Sequence, residues 1–314
     1  MTTTTRRRMP DEVRALRYPW RSLTPELRSG SGSGSGERAL VQGLTWELEQ
    51  DFRFGQRVTR TDQGYVLGGT MKGGSSSMWQ PATREQYHAF RRWQQVEGIL
   101  EARDDEAFER LSGKLARHGV ELATRRHAGG MGRARHQVDA EPFQGYGPLY
   151  DAMHGVLAAL PDSHLEREAL QRIVLGGWGP DAAKASAFQD GSVLMYDFAC
   201  RGARRTFVGL FLHELGHAHE VSLSEADKDA LHEAYQVIAE ADAFVGVEFL
   251  LDAGTRKLYQ RFVFNEFLAE TYMIYASHGA SLRERFQDQP APVRTAWERV
   301  YELYQRSFDG YEYD

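Results

Sequence analysis

Apolar residues recur at intervals of three or four through several long stretches of the chain, and alternate with polar ones only in short stretches. In TREQYHAFRRWQQVEGILEA, residues 83–102, Tyr87, Phe90, Trp93, Val96 and Leu100 mark one face of a helix. Thr83 with Gln86 gives a capping-box signature at its start. A second helix is expected over 104–118, ending at His118-Gly119. The same spacing predicts a helix in PLYDAMHGVLAALP, stopped by Pro161, and another that carries FVGLFLHELGHAHE at 207–220. Longer helices are expected over 224–251, 256–277 and 291–306; Ser224 and Asp227 open the first of these, and Gly254 sits just past its end. Strand signals are shorter. GYVLGG at 64–69 is one, and RIVLGGW at 172–178 reads as a buried strand. KASAFQDGSVLMYDFA at 184–199 reads as two strands joined at Asp190-Gly191, a dipeptide that favours a two-residue hairpin turn.

This pattern divides the chain. Residues 1–28 are polar and irregular, and SGSGSGSG at 29–36 is a flexible linker by composition. Residues 37–137 mix strand-like pieces, the Gly/Ser loop at 72–77 and two helices, and are read as an accessory domain of unassigned role. The basic, glycine-rich RRHAGGMGRARHQ at 125–137 reads as a solvated loop between domains. Residues 138–314 form a second, larger domain with strands first and helices after, so the fold class is α+β.

Composition narrows the function. The 314 residues are enough for one large domain or two smaller ones, and 41% hydrophobic with 26% charged residues is the balance of a globular chain. A formal charge of -6 gives no support for a nucleic-acid partner. No stretch approaches the roughly eighteen apolar residues of a membrane span, and the arginines near the start are not followed by the apolar core of a secretory signal. One cysteine, Cys200, excludes an internal disulfide framework and is read as a buried thiol at the end of a strand. A cytoplasmic location is the expectation.

The candidate chemistry lies in His213-Glu214-Leu215-Gly216-His217. Residues four apart share a helix face, so both imidazoles can hold one zinc ion. Glu214 sits about 100° round the helix from His213, beside the metal and near a bound water. It would act as general base and then as general acid toward the leaving amine. A catalytic zinc needs a third protein ligand. Leu223 stands where a third histidine of the metzincin pattern would fall, which excludes that class. A glutamate from a later helix is the main alternative, and two candidates stand out, Glu240 and Glu266. Glu266 is favoured because Glu270 follows one turn later on an otherwise apolar helix, where it can accept a hydrogen bond from a ligand histidine. His219 is expected to be exposed, and His154 and His232 to be structural or solvated.

The motif together with NEFLAETY at 265–272 resembles the catalytic domain of anthrax lethal factor and its relatives, which include the Pro-Pro endopeptidases. The resemblance covers about 138–314. It implies a zincin-like fold, with a small mixed sheet whose edge strand lies above the zinc helix and a helical C-terminal half. It implies one zinc ion held by His213, His217 and Glu266, with Glu270 orienting a ligand. It also implies that Tyr259, two helical turns before Glu266, stabilises the oxyanion. The substrate would be a protein or peptide, added as an extended strand to the edge at 184–189. A metalloendopeptidase is therefore expected. The readings left open are a zinc-binding regulatory protein that does not cut, and a delivered toxin or effector protease that uses its N-terminal region for recognition.

Overall fold

The computed structural model describes residues 5–7, 9, 57–68, 80–127, 136–139, 147–166, 168–176, 186–200, 204–245 and 263–313. The linker at 29–36, the loop at 72–77, Gly254 and Tyr259 lie outside the described residues. In chain order the elements are β1 (Thr5–Arg7), β2 (Arg57–Thr61), β3 (Gly64–Gly68), β4 (Gln80–Ala82), α1 (Arg84–Ala116), β5 (Glu121–His127), β6 (His136–Asp139) and α2 (Gly147–Ala159). There follow a 3-10 turn (Asp162–Leu165), β7 (Arg172–Leu175), β8 (Ser186–Gln189), β9 (Ser192–Met195) and α3 (Asp197–Cys200). The chain ends with α4 (Arg204–Ser222), α5 (Glu225–Glu240), α6 (Phe264–Gln287), α7 (Ala291–Ser307) and β10 (Tyr311–Tyr313). The protein is of mixed α+β class.

The sheet that matters for the site has five strands in the order β6-β5-β7-β9-β8. β5, β7 and β9 run parallel, and antiparallel β6 and β8 close the two edges. Central β7 buries Ile173, Val174 and Leu175, the continuous apolar run that a strand covered on both faces requires. β8 and β9 meet at Asp190 (φ 50°) and Gly191 (φ 70°), both left-handed, as the hairpin dipeptide implies. β9 ends at Met195. Cys200 closes the short helix α3 rather than a strand, and its buried thiol donates to the Met195 carbonyl at 3.4 Å.

The boundary expected at 137/138 cuts through this sheet. β5 pairs with β7, and Leu122, Ala123 and Thr124 are buried at its centre. Arg125, Arg126 and His127 belong to β5 and Gln137 to β6, so the ends of the basic stretch are paired strands of one sheet, not a loop between domains. The repeated arginines hid a strand whose buried half precedes them.

Likewise, the two helices expected over 83–102 and 104–118 are the single α1. The second helix was expected to begin at about residue 104. Instead Asp104 is buried mid-helix, and its carboxylate lies so close to Gly147, the first residue of α2, that a Cβ there would overlap it. That position offers an acceptor where a helix has unpaired N–H groups. Gly119 (φ 73°) then ends α1 where expected.

Two apolar cores result among the described residues. A small one joins Val58, Ala89, Phe90 and Trp93 with Tyr65, Leu67, Ala82 and Tyr87, between β2–β4 and the start of α1. The large one takes in the second half of α1, α2, the five-stranded sheet and α4–α7. Residues 1–28 were read as irregular, but Thr5–Arg7 pairs in parallel with β10 and Met9 joins the large core. Arg7 stacks on Tyr311 at 3.8 Å and donates to the Ala159 carbonyl at 2.9 Å.

α5 stops at Glu240, short of the expected 251. Asp242 turns left-handed (φ 49°), and the Ala243 N–H closes back on the Ile238 carbonyl at 3.0 Å, a Schellman-type stop. α6 runs on to Gln287, with non-helical angles at buried His278 marking a kink within it. No helix of the described residues is long and apolar enough to cross a membrane.

Candidate metal centre

The apolar run Phe207, Val208, Phe211 and Leu212 buries α4 in the large core, beneath β8 and β9 and against α6. Gly216 sets the closeness of the two helices. A Cβ built on it would stand 2.7 Å from Ala269 Cα and 2.9 Å from the Ala269 carbonyl oxygen, so only glycine permits this crossing. The contact lies between His213 and His217 on one helix and between Glu266 and Glu270 on the other. It brings the two motifs face to face.

The atoms converge accordingly. His213 Nε2 and His217 Nε2 are 3.2 Å apart. Glu266 places one carboxylate oxygen 3.3 Å from His213 Nε2 and the other 3.7 Å from His217 Nε2. Ligands about 2.1 Å from a tetrahedral zinc are separated by about 3.4 Å, a spacing near the 3.2 Å between the two imidazoles, and Glu266 brings a different oxygen toward each of them. The donor set fits as well. Three carboxylates, Glu214, Glu266 and Glu270, gather on two imidazoles, and Glu214 and Glu270 are buried at 4% and 0% exposure. Buried anions at such a density call for a cation among them.

Glu214 lies with the two histidines in a cluster whose ligand atoms are all within 4.8 Å of one another. Glu214 could therefore be taken for the third ligand. Glu266 approaches the two Nε2 atoms at 3.3 and 3.7 Å and Glu214 lies within 4.8 Å of them, so both carboxylates stand within reach of an ion placed between the imidazoles. Glu240, the other candidate, is exposed at the last residue of α5. Glu270 Oε1 lies 3.2 Å from His213 Nδ1, on the far side of the ring from Glu266. Tyr259 lies outside the described residues.

One residue was missed. Glu220 Oε2 is 3.9 Å from His217 Nδ1, in an i,i+3 ion pair that faces His217 as Glu270 faces His213. The signal was in the sequence, since residues three apart share a helix face. His219 corrects the opposite error. It was expected to be exposed, yet it is buried against His164 and Tyr272, with ring centroids 4.5 and 5.3 Å away. It stands about 200° round α4 from His217. That face is covered by the 3-10 turn, α6 and α7, which the motif does not reveal.

β8 is an edge of the sheet and packs on α4, with Phe188 partly buried in the large core. In a two-residue hairpin Gln189 and Ser192 exchange hydrogen bonds, so Ser186 and Phe188 direct their N–H and C=O groups away from β9. No family model, curated protein or solved structure matches the chain.

Proposed function

We propose that the protein is a zinc-dependent metalloendopeptidase of the lethal factor-like kind, with a zincin-type fold over its C-terminal half. The observation that carries this reading is the convergence of His213, His217 and Glu266 from two helices to separations of 3.2–3.7 Å. These three residues hold the ion, and zinc supplies an acidified water and an electrophile for the substrate carbonyl. Glu214, buried beside the ligands, takes the proton of the attacking water and delivers it to the leaving amine. Glu270 and Glu220 hold the ring nitrogens of His213 and His217 that face away from the ligand side. The outward main-chain groups of Ser186 and Phe188 accept an extended substrate as a further strand. Tyr259 is assigned to the oxyanion by the resemblance to the lethal factor group alone.

The test has two parts. Elemental analysis of the purified protein should find one zinc per chain, lost in Glu266→Ala and kept in Glu240→Ala. Glu214→Gln should keep zinc and cleave a peptide library slower by roughly 10²–10⁴-fold. A zinc-free wild type overturns the metal centre, and loss of zinc from Glu240→Ala instead overturns the ligand set. Cleavage by Glu214→Gln at the wild-type rate overturns the mechanism.

A further inference from the structure

From Phe207 to Ala218 the apolar side chains of α4 are buried, except that of Leu210, which packs against the large core but is only partly covered by it. Leu210 stands one turn before Glu214, about 6 Å along the helix axis and about 40° round it. It stands two turns before His217 and only about 20° round the axis from it, so the three residues follow one line of the helix surface. That line reaches solvent again at His217, whose side chain is 16% exposed. Leu210 therefore borders the candidate metal centre with apolar surface.

The edge strand offers a second apolar residue on the same side. Phe188 in β8 is opposite Val193 in β9, so their side chains share one face of the sheet. Val193 is fully buried in the large core, and both strands pack on α4, so this is the face laid on that helix. Phe188 is partly buried against the same core. A substrate strand added to β8 pairs with the outward main-chain groups of Phe188. The substrate residue opposite Phe188 turns its side chain to the same face, toward α4.

We propose that Leu210 and Phe188 form an apolar subsite that selects substrates with a large aliphatic or aromatic side chain beside the bond to be cut; this rests on the metalloendopeptidase reading above. The physical reason is desolvation. Neither Leu210 nor Phe188 has a side-chain hydrogen-bonding group, so a polar side chain placed between them loses water without gaining a partner. An apolar one buries surface on two sides, and each methylene that it adds strengthens the preference. The main-chain pairing along β8 is indifferent to side chains, so discrimination falls to these two residues.

The experiment uses the full-length, zinc-loaded protein and two readouts. Cut sites in a peptide library, read by mass spectrometry, should show Leu, Ile, Met or Phe enriched at one position beside the cleaved bond. For peptides that differ only there, kcat/KM should favour Leu over Ala about tenfold or more. Leu210→Ala and Phe188→Ala should each shrink that ratio at least about threefold while binding zinc as the wild type does. Phe188 lies on an edge strand, so its variant reports even if Leu210→Ala does not fold. The second readout needs no cleavage. Calorimetric titration with acetyl-leucine hydroxamate and acetyl-glycine hydroxamate compares two ligands with the same metal-binding group. The leucine compound should bind about tenfold tighter, and Leu210→Ala or Phe188→Ala should reduce the difference. If no peptide is cleaved, the peptidase reading falls and the hydroxamate titration decides the subsite. Equal affinity for the two hydroxamates, cut sites without an apolar preference, or an unchanged ratio in either folded variant overturns the proposal.

Discussion

Adding one methyl group at Gly216 should reverse the usual effect of such a change. In the interior of a helix, replacing glycine by alanine ordinarily stabilises by about 1 kcal/mol. At Gly216 the new Cβ would meet Ala269 Cα at 2.7 Å, the Ala269 carbonyl oxygen at 2.9 Å and Tyr272 Cβ at 3.1 Å. Carbon atoms rest at about 3.5–4.0 Å, so α6 must retreat from α4 by about 1 Å. Overpacking of this kind costs about 1–3 kcal/mol, enough to cancel the propensity gain and leave a net loss of about 1 kcal/mol. The same shift reaches Glu266, less than one turn from Ala269. A metal site tolerates about 0.2 Å in its ligand distances, so zinc affinity should fall at least about tenfold.

The assay is urea unfolding of zinc-stripped protein together with zinc competition against a chromophoric chelator. Gly113→Ala is the internal control. Gly113 lies in α1 with no atom near its missing Cβ, and that variant should gain stability and keep its zinc. If Gly216→Ala is as stable as Gly113→Ala with wild-type zinc affinity, the α4–α6 crossing does not set the site and the reasoning fails.

Other outcomes follow from the same geometry. Glu270→Gln and Glu220→Gln should each weaken zinc binding by about 10–100-fold while leaving the ion present at saturating zinc; equal affinity in chelator competition would remove their positioning roles. Ser186→Pro removes an N–H that points away from β9, so it should raise KM for extended peptides about fivefold with little change in kcat; an unchanged KM would place the substrate elsewhere. Burial pushes the His164 imidazole down to about 4 from the usual histidine range, so the unfolded chain binds a proton that the folded one refuses. Stability should therefore be full above about pH 6.5 and fall by about 3 kcal/mol as pH drops toward 4, in a window governed by Tyr272, His219, Asp309 and the Ser307 carbonyl around the ring. His164→Asn should flatten that slope in urea titrations at pH 7, 5.5 and 4.5, and a slope equal to wild type would assign the loss to other groups.

Local rules made much of this molecule legible in its sequence. The Asp190-Gly191 turn requires two left-handed residues in succession, so the β8–β9 hairpin could be read directly. The capping box of Thr83 and Gln86 and the stop at Gly119 depend on neighbours within a turn of the helix, and both are where the sequence placed them. The facing of His213 and His217, and of Glu266 and Glu270, is fixed by helical periodicity. Which of these residues meet is another matter. Glu266 was favoured over Glu240 on local grounds, because Glu270 follows one turn later on the same helix. That it faces the histidine pair rests on the close approach of α4 and α6 at Gly216, a contact between segments far apart in the chain. Tertiary packing likewise buried Asp104 in the middle of α1, drew β5 into the sheet and Thr5–Arg7 onto β10, and covered His219. A sequence states which faces its elements have. The energy of burying those faces against one another decides which are left for water and which for a ligand.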